Sequence, residues 1–129
     1  MTPNIDDIDK YLTEVKAAVA INNYRISLNE HRPDNRELFA DYIIDEAKAK
    51  EILISLNAED FSEVRNNDHK GFEHELLYIF GKDVRLLERF GSAEEKTFSL
   101  YIKFNKLDNS FIIVVSFHEQ EWPMRYAFK

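Results

Sequence analysis

Three side chains in the C-terminal half carry most of the chemistry this sequence offers. They are the phenol of Tyr101 and the amine of Lys103 in "LYIKF", and the imidazole of His118, which ends the apolar run "FIIVVSFH". An imidazole titrates near neutrality and serves as a general acid or base. A lysine supports negative charge on an oxyanion or a phosphate, and Lys82 in "FGKDV" is a second candidate for that part. Whether these groups act together depends on the elements that carry them.

Those elements read as strands. From residue 74 the apolar pattern has a period of two, so "HELLYIFG", "TFSLYIKFN" and "FIIVVSF" are expected as three antiparallel strands, with "KLDN" turning between the last two. Alternation places Leu100, Ile102 and Phe104 on one face of the middle strand and Ser99, Tyr101, Lys103 and Asn105 on the other. On the last strand Ile112, Val114, Ser116 and His118 share a face. A four-residue turn pairs Asn105 with Ser110 and Tyr101 with Val114. Tyr101, Lys103, Ser116 and His118 then look out on one side, with His118 opposite Thr97 and roughly 13 Å from Tyr101. A sheet with one greasy face and one face of phenol, ammonium, hydroxyl and imidazole has the pattern of a working surface. It is equally the pattern of a sheet that keeps one face in water.

The helices come first. Ile5, Ile8, Leu12, Val15 and Val19 recur at spacings of three and four, predicting an amphipathic helix over residues 5–21 that stops at Asn22 and Asn23 and covers one sheet face. "YRISL" reads as a short strand or extended segment. A second helix is expected from a cap at Asp34 through Leu38, Phe39 and Ile43, and a third over residues 45–56, with "NAEDFSEV" breaking the pattern. "MRYAFK", beyond Pro123, reads as a short edge strand. Helices followed by a sheet make an α+β fold, read as one domain over residues 1–129. Residues 81–96, with two of the three glycines, are either a mobile lid or a hairpin extension.

Composition narrows the classes. With 129 residues, 44% of them hydrophobic, the chain suffices for one folded domain. No apolar stretch spans a membrane and no secretion signal opens the sequence, so a soluble cytoplasmic protein is expected. The absence of cysteine removes disulfides and thiolate chemistry. His69 and His74 in "DHKGFEHE" fit no zinc spacing, so no metal and no cofactor is expected, and His31 reads as structural. The net charge of −7 is carried by residues 1–64, with 7 basic and 14 acidic residues, whereas residues 65–129 hold 10 of each and can form a positive patch.

"EILISLNAEDF", "HELLYIFGK", "LYIKF" and "IIVVSFHEQEWPMRYAFK" together resemble the MqsR-type toxins of bacterial toxin–antitoxin pairs, which belong to the RelE-like ribonucleases. The resemblance covers about residues 43–129 and leaves the helix of residues 1–22 outside. It implies a twisted antiparallel sheet under N-terminal helices, and metal-independent cleavage of messenger RNA by attack of a ribose 2′-hydroxyl on the adjacent phosphate. It also implies neutralisation by a cognate antitoxin. Tyr101 falls at the family's functional tyrosine, and His118 where the family carries a basic residue after "VSF". Lys82, Arg85, Arg89, Lys96, Lys103 and Arg125 are then the candidates for binding phosphate. Glu63 and Glu75 stand where Lys or Gln is expected, and carboxylates there repel phosphate unless protonated or acting as the base. The competing expectation is a noncatalytic interaction module on the same scaffold, binding a basic partner through its acidic N-terminal half.

Overall fold

Asn4 starts the first helix. In the computed structural model, which describes residues 3–129, its side chain accepts from the amide of Asp7 at 2.9 Å, and the Asp7 carboxylate accepts from the amide of Asn4 at 3.0 Å. This reciprocal cap satisfies two donors that the first turn leaves open. Helix α1, Ile5–Ala20, buries Ile8, Tyr11, Leu12, Val15 and Val19 on one face. It closes where Asn22 takes φ 62° and Asn23 donates to the Ala18 carbonyl at 2.8 Å, a left-handed stop that asparagine tolerates.

The chain then runs through β1, Tyr24–Ile26, to α2, Pro33–Asp41, and α3, Glu46–Ile54. Proline opens α2 and Arg32 holds its cap position without a side-chain bond, so Asp34 lies in the first turn and does not cap. The second helix ends before Ile43, which is half exposed, because Ile43 donates instead to the Leu87 carbonyl. Asp45 caps α3 by accepting from Lys48 at 2.8 Å. A 3₁₀ turn, Ala58–Asp60, leads into β2, Phe61–Asn66, a strand that the reading of "NAEDFSEV" as a break does not anticipate.

Strands β3, Leu76–Leu86, β4, Lys96–Lys106, and β5, Ile112–Glu119, complete a five-stranded sheet in the order β1-β5-β4-β3-β2. The sheet is mixed, not purely antiparallel, because β1 runs parallel to β5. Within residues 81–96, β3 continues to Leu86 and pairs with β4 back to Lys96, and residues 87–95 connect them, so this stretch is a hairpin extension. Residues 124–129 form no strand.

Phe80, Leu100, Ile102, Phe104 and Phe117 are fully buried beneath the helices. Tyr11 of α1 stacks on Tyr78 of β3, ring centroids 3.8 Å apart, and Phe39 of α2 packs against Phe117 at 5.7 Å. The opposite face carries no helix. Among the described residues no helix is long and apolar enough to cross a membrane.

Candidate functional site

The hairpin of β4 and β5 decides what this open face presents. Leu107 donates to the Phe111 carbonyl, Ser110 turns with φ 67°, and Lys106 pairs with Ile112. The pairing of Tyr101 with Val114 is thereby replaced: Tyr101 lies opposite His118 and Lys103 opposite Ser116. Between Lys103 and Phe104 the register shifts, so Val115 is an extra residue on β5. Before this bulge Ile112 and Val114 face the helices; after it Phe117 does, while Ser116 and His118 turn to the open face. The shared face expected for Ile112, Val114, Ser116 and His118 is therefore split at Val115.

One buried amide holds the bulge. Asn35 of α2, 1% exposed, donates through Nδ2 to the carbonyls of Ser27 at 2.8 Å and Val115 at 3.0 Å. Its Oδ1 accepts from the Phe117 amide at 2.8 Å. The backbone groups that a bulge removes from the ladder are satisfied from the helix instead.

The result brings Tyr101 and His118 together. Their rings are stacked, centroids 5.2 Å apart and planes 12° apart, where the sequence places them far apart. His118 Nδ1 lies 2.8 Å from the Glu119 carbonyl, which accepts only, so Nδ1 carries the proton and a neutral ring keeps Nε2 as an acceptor. Glu119 itself points to the helix side, where its carboxylate accepts from the Tyr42 hydroxyl at 2.5 Å and ties down the strand end.

Around this pair lies an open groove of about 700 Å³, with Arg32, Arg65, Lys103 and Arg125 against Glu63 and Glu121 on its walls. Burial, then the charges of Arg32 and Arg65, hold the Lys103 ammonium below the ordinary lysine range, with Asp68 opposing. Burial raises the Tyr101 phenol; Arg65 opposes this and Glu63 adds to it. Glu63 and Arg65 form an ion pair on the edge strand β2.

The chain after β5 crosses this face. Gln120 is moored to β4 by its amide, which donates to the Ser99 carbonyl at 2.9 Å, and by its side chain, which donates to the Leu100 carbonyl at 3.0 Å. At the far end Ala127 donates to the Phe61 carbonyl at 3.0 Å, Ser62 Oγ donates to the Arg125 carbonyl at 2.6 Å, and Phe128 stacks on Phe61. Residues 121–126 arch between these moorings. Gly81 of β3 makes room: a β-carbon there would run into the Tyr126 hydroxyl and sit 2.8 Å from Met124 Sδ.

Of the side chains singled out in the sequence, Tyr101, Lys103, His118 and Arg125 line the groove. Lys82 does not: it stands on the helix side of β3, paired with Asp60 at 3.1 Å. Arg85 reaches the Glu95 carbonyl at 3.0 Å, and Lys96 pairs with Glu88 at 3.0 Å. Arg89 is engaged with the carbonyls of Phe39, Ala40 and Tyr42 and pins the end of α2. Glu75 accepts from Asn67 at 3.1 Å and Asn105 at 3.0 Å. Sequence reasoning leaves out Arg32, Arg65 and Asn35. Arg65 is within reach of the alternation argument once "FSEVRN" is read as a strand, whereas Arg32 and Asn35 arrive from a helix start that no local pattern connects to β5.

Among the described residues no group of three His, Asp or Glu side chains is placed to hold a metal ion. Compared with known proteins, the chain matches no family model, no curated protein and no solved structure.

Proposed function

We propose that the groove cleaves RNA, in the manner that the resemblance to the MqsR-type toxins implies. The observation that supports this most directly is the stacked Tyr101–His118 pair beside Lys103, with Arg32, Arg65 and Arg125 on the same walls. In this reading, a phosphodiester lies against Lys103 and the arginines, which offset the charge that builds on the phosphorane. His118 Nε2 takes the proton of the ribose 2′-hydroxyl, whose oxygen attacks the adjacent phosphorus and forms a 2′,3′-cyclic phosphate. The bond to the 5′ oxygen breaks, and that oxygen takes a proton from the Tyr101 phenol, which burial keeps in its protonated form. A solvent proton restores the phenol and His118 releases its own.

The acidic residues of α1 lie away from the groove, whereas Asp34, Glu37, Asp41, Glu119 and Glu121 line a hollow that also reaches His118, so in this reading the phosphate enters from the side of Lys103 and the arginines. Purified protein should cleave single-stranded RNA to products ending in cyclic phosphate, with a rate that falls as salt rises. His118→Ala should lower the rate at least about a hundredfold while the fold persists. Equal cleavage by both proteins removes His118 from the reaction.

The second reading is a protein-binding module, and its support is the exposed acidic side of α1, with Asp6, Asp7, Asp9 and Glu14. The two differ in the cell. Induced synthesis of a ribonuclease should arrest growth and be relieved by a cognate antitoxin, and harmless expression favours the binding module.

A further inference from the structure

The arch of residues 121–126 separates two hollows, the groove of about 700 Å³ on the open face and a second of about 650 Å³ that runs from Gly81 and Ser99 on that face to Asp60 and Lys82. Trp122 lines both and remains 77% exposed. An indole left in water contributes little to the fold that holds it. Yet this one is presented with care: the segment is moored at Gln120 and again at Ala127, and Pro123 restricts the backbone of Trp122 to extended conformations.

The two hollows differ in charge. The groove sets Arg32, Lys103 and Arg125, with Arg65 already paired to Glu63, against Glu121. The second sets Lys82 and Lys129 against Asp60, Asp83 and Glu121, and the Lys82 charge is already taken by Asp60. An anionic chain is thus favoured on one side of the indole and not on the other. A ligand with a charged backbone and flat uncharged side groups matches this division.

We propose that Trp122 is the stacking platform for a nucleobase next to the phosphate held at Lys103, so that the arch selects single-stranded nucleic acid. This rests on the reading of the groove as a nucleic-acid site. Every base offers a π-face, but in a duplex both faces are covered by neighbours, so only an unpaired base can lie on the indole. Selection for single strands then comes from the arch and not from the catalytic pair.

Trp122 is the only tryptophan in the chain, so its fluorescence reports on this contact alone. The probe is a 2′-O-methyl oligonucleotide of about eight residues, within the usual footprint of a single-strand site and lacking the attacking hydroxyl. Saturable quenching is expected with the single strand, little with the matching duplex, and little with inorganic polyphosphate. Trp122→Ala should weaken binding, followed by anisotropy of a labelled oligonucleotide, by about tenfold or more, and Trp122→Phe should recover most of it. Unchanged affinity in Trp122→Ala, or unchanged emission when the oligonucleotide is fully bound, overturns the proposal. Equal quenching by polyphosphate makes the groove a backbone site only and also overturns it. No binding of any nucleic acid overturns it too, and leaves the indole to a protein partner. Quenching without cleavage of the matching ribo-oligonucleotide sinks the catalytic reading and keeps the platform; cleavage without any response of Trp122 does the reverse.

Discussion

The imidazole of His118 lies against the phenol of Tyr101, ring planes 12° apart and centroids 5.2 Å apart, at directly paired positions of β4 and β5. The aromatic ring holds the imidazole from one side while the Glu119 carbonyl holds Nδ1 from the edge. Ring currents make this visible: the carbon-bound ring protons of His118 should move downfield in Tyr101→Leu and stay in place in Tyr101→Phe. The hydroxyl is then tested separately, since Tyr101→Phe keeps the stack but should lower RNA cleavage by about a hundredfold if the phenol donates a proton. A phenylalanine variant with full activity leaves Tyr101 only its stacking part.

Asn35 ties α2 to the bulge through three hydrogen bonds. Asn35→Ala leaves the Phe117 amide and the Val115 carbonyl unsatisfied in the interior, a loss of about 2–4 kcal/mol. Urea unfolding should show a lower midpoint with an unchanged slope. The His118 resonances should also broaden or shift, because the bulge sets which way that ring faces. Loss of stability with untouched His118 resonances would mean that β5 holds its bulge unaided.

Lys103 keeps a half-buried ammonium on the groove wall at a cost to the fold. Burial and the neighbouring arginines hold its pKa below the ordinary 10.5, so the folded state binds this proton less tightly than the unfolded state. Below the depressed value the charge subtracts from stability, and stability recovers as pH rises through that value toward 10.5. Lys103→Met should therefore unfold at a higher urea concentration near pH 7, with the advantage shrinking at alkaline pH. The same variant should bind single-stranded oligonucleotides about tenfold more weakly. A less stable variant at pH 7 would show that the ammonium is well satisfied in the free protein.

Gly81 is fixed by close approach, since the Tyr126 hydroxyl, Met124 Sδ and Gln120 Nε2 all occupy the space of its missing side chain. In Gly81→Ala the arch, moored by few bonds, should give way before the sheet does. Stability should fall by about 1 kcal/mol, and trypsin should cut at Arg125 faster while the β3–β4 amides keep their hydrogen-exchange protection. Unchanged cleavage at Arg125 would place the arch elsewhere in solution.

Local period reveals α1 and the strands β4 and β5, because each buries one side of a single element: the stripe from Ile8 to Val19, and the alternation of Leu100, Ile102 and Phe104. Pairing is a different matter. The loop after Lys106 shifts the expected register by three residues, an odd number that reverses which side of β5 faces outward, and the bulge at Val115 adds a fourth and reverses it again. Tyr101, Lys103, Ser116 and His118 thus share a face through two displacements that compensate, whereas Ile112 and Val114 turn to the core. Nothing in "FIIVVSFH" marks the bulge, since its partner is an asparagine some 80 residues earlier. Lys82 shows the opposite case: alternation applied to β3 separates it from the odd-numbered Ile79, which lines the groove, and Gly81, which lies under the arch, so its absence from the groove is legible.

The parallel seam between β1 and β5 has a consequence for how the molecule assembles. Strands β2 to β5 each meet a neighbour in sequence and can zip up as successive hairpins, but Tyr24 must wait for Ile112 across about two thirds of the chain. Closing so large a loop costs entropy that local order does not offset, so a change that weakens this seam should slow refolding more than one that weakens a β3–β4 contact. Until that seam shuts, the outer edge of β5 keeps its backbone groups unpaired, an open edge of the kind that other strands can join.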